Sequence, residues 1–125
     1  MILDTCAILF LASGDRRLSA GARERLSRAP VRSFSAISAF EIALKCRQGK
    51  LELALSPSRW LATMVERYVL TEVPLSSSIC VAAADLPLHH RDPFDRFIIA
   101  AAKELGVPVV TIDPRFQQYG LEVVS

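Results

Sequence analysis

His90 to Phe116 reads HRDPFDRFIIAAAKELGVPVVTIDPRF, and its punctuation predicts one complete αβ unit. Asp92 is placed to cap a helix whose first residue is Pro93, since proline has no N–H to lose there and its fixed φ already suits a helix. Asp95 then lies in the first turn. From Phe94 onward the apolar residues Phe97, Ile98, Ala101, Ala102 and Leu105 recur at helical spacing, and Gly106 offers the left-handed residue that ends such helices. Val107 to Ile112 is a continuous apolar, β-branched run interrupted only by Pro108 near its start, the pattern of a strand buried on both faces. Asp113 falls where that strand ends.

Outward from this unit the chain repeats the theme. Met1 to Leu3 is a brief apolar strand ending in Asp4, and a short helix follows and stops near Ser13-Gly14. Arg16 to Arg28 is a surface helix capped by Ser19, and Val31 to Phe34 is the second strand. Ser38-Ala39-Phe40-Glu41 opens a helix that Gly49 stops. Ser56-Pro57 begins another that runs through Tyr68, with Trp60 and Tyr68 as core or partner-face residues rather than base-stacking platforms. Val69 to Val73 is the third strand, Ser76 to Leu86 a small-residue helix, Pro114 to Tyr119 a helical turn and Leu121 to Val124 the last strand. Five short strands separated by helices predict an α/β sandwich, in one domain over 1–125, with a parallel central sheet and right-handed crossovers. Sites in such folds lie beyond the carboxyl ends of the strands, where strand order reverses. That rule selects Asp4 and Asp113 at strand ends, and Glu41 and Asp95 in first helical turns near the same edge.

Bulk composition excludes little. The 125 residues are 51% hydrophobic with a net charge of +2, a proportion that suggests an apolar face reserved for a partner or a second copy. Twelve Arg stand against three Lys, a mild bias toward phosphate contact because Arg binds it bidentately. Three cysteines, Cys6, Cys46 and Cys80, have no CxxC spacing and read as reduced, mostly buried small hydrophobes. No basic leader and no membrane-length apolar run is present, so a cytoplasmic protein with no membrane partner is expected. His89 and His90, in a loop before a capped helix, are expected to be solvent-exposed.

Each acid has a structural explanation when taken alone. Ser38-x-x-Glu41 fits a capping box, Asp95 suits the positive end of a helix dipole, and Asp92 and Asp113 each precede a proline as caps do. Asp4 is the exception, because a carboxylate between a buried strand and an apolar helix has to be paired, hydrogen-bonded or metal-bound. Four carboxylates on one edge would repel one another unless a cation sat among them. An all-oxygen set favours Mg²⁺ or Mn²⁺ over zinc, and such an ion suits phosphodiester hydrolysis. Arg96 and Arg115, beside the acids, are placed to hold phosphate oxygens, or else to neutralise their neighbours.

At these residues the sequence resembles the PIN-domain family and, within it, the VapC-like toxins of toxin–antitoxin pairs. The matching segments are Leu3-Asp4-Thr5, Ser35 to Ser38 with Glu41-Ile42-Ala43, Gly49-Lys50-Leu51, Arg91 to Arg96 and Thr111 to Phe116. The resemblance implies a Rossmann-like fold in which Asp4, Glu41, Asp95 and Asp113 surround Mg²⁺ or Mn²⁺, with Thr5, Ser38 and Thr111 supporting the acids and Asp92 left as the helix cap. It also implies an endoribonuclease with RNA as substrate, a homodimer and a cognate antitoxin that blocks the site. Cys6 departs from the pattern, since many relatives carry His after the Asp-Thr pair. A non-catalytic RNA- or protein-binding module, with the acids as caps, is the alternative.

Overall fold

Strands of two residues suffice to build this sheet because the central ones are paired on both sides. In the computed structural model, which describes residues 1–125, β1 (Ile2–Leu3) pairs in parallel with β2 (Arg32–Ser35) and with β4 (Val109–Val110). Beyond them β3 (Leu70–Val73) pairs with β2, and β5 (Val123–Val124) with β4, again in parallel. The spatial order is β3-β2-β1-β4-β5, so the five expected strands form the expected parallel sheet. The chain builds outward from β1 to β3 and then returns to the other side of β1. Strand order therefore reverses between β1 and β4, which opens a crevice at their carboxyl ends.

Period-two alternation divides the strand residues between two cores. Leu3, Phe34, Val110 and Val124 face one way, against Ile8 and Leu11 of α1 (Thr5–Ser13), Ala22 and Leu26 of α2 (Ala20–Arg28) and Met64 of α4 (Pro57–Tyr68). Ile2 and Val109 face the other way, against Ile37 of α3 (Ala36–Arg47), Ile79 and Ala83 of α5 (Ser77–Asp85) and Ile98 to Ala102 of α6 (Pro93–Leu105). Trp60 and Tyr68 pack against the first core, as core residues do. The longest helix, α6, has 13 residues, and no helix is long and apolar enough to cross a membrane.

Several boundaries and one burial pattern differ from the sequence reading. The run Val107 to Ile112 is paired as a strand only at Val109–Val110, and Ile112 is 41% exposed; its partner β1 is itself only two residues long, so the ladder cannot extend. Helix α3 begins at Ala36 behind the cap Ser35, whose hydroxyl accepts from Ile37 N, which puts Ser38 inside the helix and Glu41 in its second turn. The capping box is thereby ruled out. Helix α4 ends at Tyr68 as expected, but Val69, expected to open the third strand, is its left-handed C-cap at φ 52° and β3 begins at Leu70. Cys6 is exposed while Cys46 and Cys80 are half-buried. A β-branched residue in the left-handed region is strained. Val69→Gly is therefore expected to raise stability by about 1 kcal/mol, a few degrees in Tm, because relief of strain exceeds the entropic penalty of glycine. A thermal melt equal to or below that of the parent would refute this.

Candidate metal centre

The crevice beyond β1 and β4 is built from residues that first of all terminate secondary structure. Asp4 directly follows β1 and is the N-cap of α1, its Oδ1 accepting from Ala7 N at 2.7 Å. Its Oδ2 accepts from the Thr111 hydroxyl, one residue past β4, so the two central strands are tied together at their ends. Asp4 is 4% exposed and Thr111 fully buried. Thr5 and Ser38 join their hydroxyls at 2.9 Å, linking the start of α1 to α3. All three expected hydroxyl residues thus lie at the crevice, although Thr5 and Ser38 bond each other and only Thr111 holds an acid.

Asp113 caps the 3₁₀ turn Pro114–Tyr119 through Arg115 N, at 2.9 Å. The Arg115 guanidinium reaches both of its oxygens, Nε at 3.0 and 3.2 Å and Nη2 at 2.8 Å. Arg115 in this state neutralises its neighbour. Asp95 lies in the first turn of α6, whose cap is Asp92 as expected, accepting from Phe94 N at 2.9 Å. Glu41 is 5% exposed; its Oε2 pairs with Lys45 Nζ at 2.6 Å, while Oε1 is buried with no hydrogen-bond partner.

His90 overturns the expectation of a solvent-exposed loop residue. His89 is exposed, but His90 is 1% exposed, wedged edge-on against the Phe116 ring at 5.7 Å between centroids. Its Nε2 lies 3.0 Å from Asp95 Oδ2 and 2.9 Å from Asp113 Oδ2, and one ligand atom from each of the three residues falls within 4.8 Å of the others. Sequence reasoning missed it, and the one available signal was its place two residues before a capping aspartate. Arg96 is a second correction. It is 8% exposed, and its guanidinium donates to the carbonyls of Ala83, Ala84, Leu86, Pro87 and His90, so no donor face remains for a phosphate.

Electrostatics set the acids against one another. Burial, aided by Glu41 and Asp113, pushes the Asp4 carboxyl up to about 6 in spite of its hydrogen bonds. Asp95 is pushed up to about 8 by burial and then by the charges of Asp92, Asp4, Glu41 and Asp113. Burial would raise Asp113 too, but the Arg115 fork, the Arg115 N–H and His90 hold it below the usual carboxylate range. Carboxylates crowded until two of them favour the proton, together with a buried carboxylate oxygen that nothing satisfies, fit a divalent cation with a preference for oxygen donors.

The family model described as PIN domain matches residues 1–121. Ribonuclease VapC22 of Mycobacterium tuberculosis (strain ATCC 25618 / H37Rv) is 31% identical over 120 residues, covering 95% of this chain and 91% of that protein. Among solved structures, DNA-bound VapBC from Salmonella typhimurium superposes with a TM-score of 0.70 at 20% identity, over 98% of this chain and 94% of that one. FitAcB from Neisseria gonorrhoeae gives 0.68 at 19%, over 99% and 96%. At those identities the two structures bear on the fold alone. With the family pattern spanning residues 1–121 and a relative matched over nearly its whole length, the chain belongs to the PIN-domain family.

Proposed function

We propose that this protein is a Mg²⁺- or Mn²⁺-dependent endoribonuclease, the toxin component of a toxin–antitoxin pair, with Asp4, Glu41, Asp95 and Asp113 holding the ion. The observation that carries this reading is the pairing of two carboxyls raised toward protonation, Asp4 and Asp95, with the orphaned Glu41 Oε1. Acids serving only as caps have no reason to crowd. A capping role also leaves oxygens over, since Asp113 turns its second oxygen to Arg115 and His90, and Asp95 is not a cap at all. The ribonuclease activity is carried over from the printed name of VapC22.

A bound divalent ion supplies Lewis acidity to a phosphoryl oxygen and to the attacking water. The chain's own groups do the remainder. Asp4, fixed by Thr111 and Ala7 N, and Asp95, fixed at the first turn of α6, hold their carboxylates in place before substrate arrives. Glu41, with one oxygen free of protein partners, is suited to orient water and take its proton. Arg115, 54% exposed along its side chain, is the cation able to swing from Asp113 to a phosphate oxygen. Lys50 and Arg91, which line a cleft with Glu41 and Asp92, extend a basic rim for the RNA backbone.

The test is cleavage of an end-labelled single-stranded RNA by purified protein. Cleavage is expected with Mg²⁺ or Mn²⁺, none with EDTA, and products should bear 5′-phosphate and 3′-hydroxyl ends. Cleavage undiminished by EDTA would refute the metal site. A second copy and an antitoxin are the proposed protein partners, supported by exposed apolar side chains such as Phe40 (57%) and Val81 (61%). Light scattering that reads a monomer would remove the homodimer. Failure of the product of an adjacent small gene to co-purify and inhibit cleavage would remove the antitoxin.

A further inference from the structure

His90, Asp95 and Asp113 bring one nitrogen and two carboxylate oxygens within 4.8 Å, which at first sight is a mixed N/O metal site. The rest of the imidazole argues otherwise. A histidine that ligates through Nε2 presents a bare lone pair there, and its Nδ1–H donates outward to a carboxylate or carbonyl. In this protein Nδ1 meets a donor, the backbone N–H of Asp92 at 3.2 Å. Nδ1 must therefore carry the lone pair, and the ring proton lies on Nε2. Turning the tautomer over would set two N–H groups against each other in a fully buried place.

The other polar atoms of His90 are equally committed. Its N–H donates to Tyr119 Oη at 2.7 Å, Tyr119 Oη donates to Pro87 O at 2.7 Å, and the His90 carbonyl accepts from Arg96 Nη1 at 3.0 Å. Backbone, ring face and both ring nitrogens are all fixed, so the Nε2–H vector is fixed as well. The Nε2–H is hydrogen-bonded to Asp113 Oδ2 at 2.9 Å, with Asp95 Oδ2 close by at 3.0 Å from the same nitrogen.

We propose that His90 is a positioning residue, locked by the Asp92 N–H as the Nε2–H tautomer, which holds Asp113 through that N–H beside the neighbouring Asp95 and is not itself a ligand of the cation. This rests on the proposed metal site and leaves its ligand set all-oxygen. Asp92 acquires a second task, since the residue that caps α6 with its side chain sets the histidine tautomer with its backbone N–H.

Long-range ¹H–¹⁵N spectra of the metal-free wild-type protein should show a pyridine-type Nδ1 and a pyrrole-type Nε2 at His90. Pulsed EPR of the Mn²⁺-loaded protein should show no ¹⁴N coupling of the size given by a directly bound imidazole. A pyridine-type Nε2, or a strong ¹⁴N coupling, would overturn the proposal. His90→Gln keeps an N–H at the reach of Nε2, and is expected to bind Mn²⁺ within about threefold of wild type by calorimetry. His90→Leu removes it, and should bind about 10-fold more weakly or worse, the usual effect of losing such a supporting hydrogen bond. Equal Mn²⁺ affinity in the Leu variant would overturn the positioning role, and the spectra on wild type decide the question if that variant does not fold. Wild-type protein that shows this tautomer, binds Mn²⁺ without nitrogen coupling and yet cleaves no RNA would defeat the ribonuclease reading while upholding the role of His90.

Discussion

Asp95→Asn is expected to abolish RNA cleavage, by about 10²- to 10³-fold at the least, while making the metal-free protein more stable at pH 8. The first effect follows from removing a preorganised charge at the reacting centre, where a single group is commonly worth that factor. The second follows from linkage. The Asp95 carboxyl is pushed from an ordinary 3.8 up to about 8 in the folded protein, chiefly by burial. Below pH 4 both folded and unfolded chains hold the proton and the site contributes no slope. Between about 4 and 8 the folded chain binds a proton that the unfolded chain has released, so stability of the metal-free protein falls as pH rises. Asp4, pushed up to about 6, adds to the decline over the lower half of that window. Asn removes the Asp95 part of this slope, a gain on the order of 1 kcal/mol or more at pH 8. Divalent cation should reverse the order, stabilising wild type by mass action and the variant much less. Melts at pH 5 and pH 8, with and without Mn²⁺, measure all of this. A variant less stable than wild type in metal-free buffer at pH 8 would show that the acids are not in electrostatic conflict.

The parts of this site that were legible in the sequence are those fixed by local chemistry. Asp92 before Pro93 reads as a cap because only a few residues around it decide the matter, and it is one. Asp4 and Asp113 read as strand-end acids because apolar runs precede them, and the sheet order brings them to one crevice. The misreadings arise where a partner lies far along the chain. Ser35 and Ser38 are equally good caps on local grounds; what separates them is that Ser38 reaches Thr5, 33 residues away. Cys6 sits in a helix so uniformly apolar that no periodicity marks its solvent side. His90 is held by Tyr119, 29 residues on, and by Asp113, 23 residues on. Nothing in a His-His-Arg-Asp loop announces such partners.

Arg96→Ala is expected to lower stability by about 3 kcal/mol or more. The buried guanidinium closes the connection between α5 and α6: Nε reaches Ala83 O at 3.1 Å, Nη2 reaches Ala84 O at 3.2 Å and Leu86 O at 2.6 Å, and Nη1 reaches Pro87 O and His90 O at 3.0 Å each. Ala83 and Ala84 belong to the last turn of α5, whose carbonyls have no partners within the helix and whose dipole favours a positive charge. A hydrogen bond to a charged group contributes about 1.5–3 kcal/mol, and an acceptor left buried and unmet costs about 1–3. Five such bonds do not add, because water can reach the carbonyls of the looser residues once the side chain is gone; the net is nevertheless larger than most point substitutions produce. Arg96→Lys should lose much of the same stability, since one ammonium with three donors cannot span five carbonyls set around a planar fork. The loop released is the one that carries His90 and Asp92, so amide exchange at Arg91 and Asp92 should quicken in either variant even where the global fold survives. Urea denaturation separates this from the phosphate-binding role that the sequence first suggested. A phosphate ligand lost to alanine would weaken RNA binding and leave the unfolding midpoint where it was, whereas a guanidinium that organises the α5–α6 connection must move the midpoint before any substrate is added.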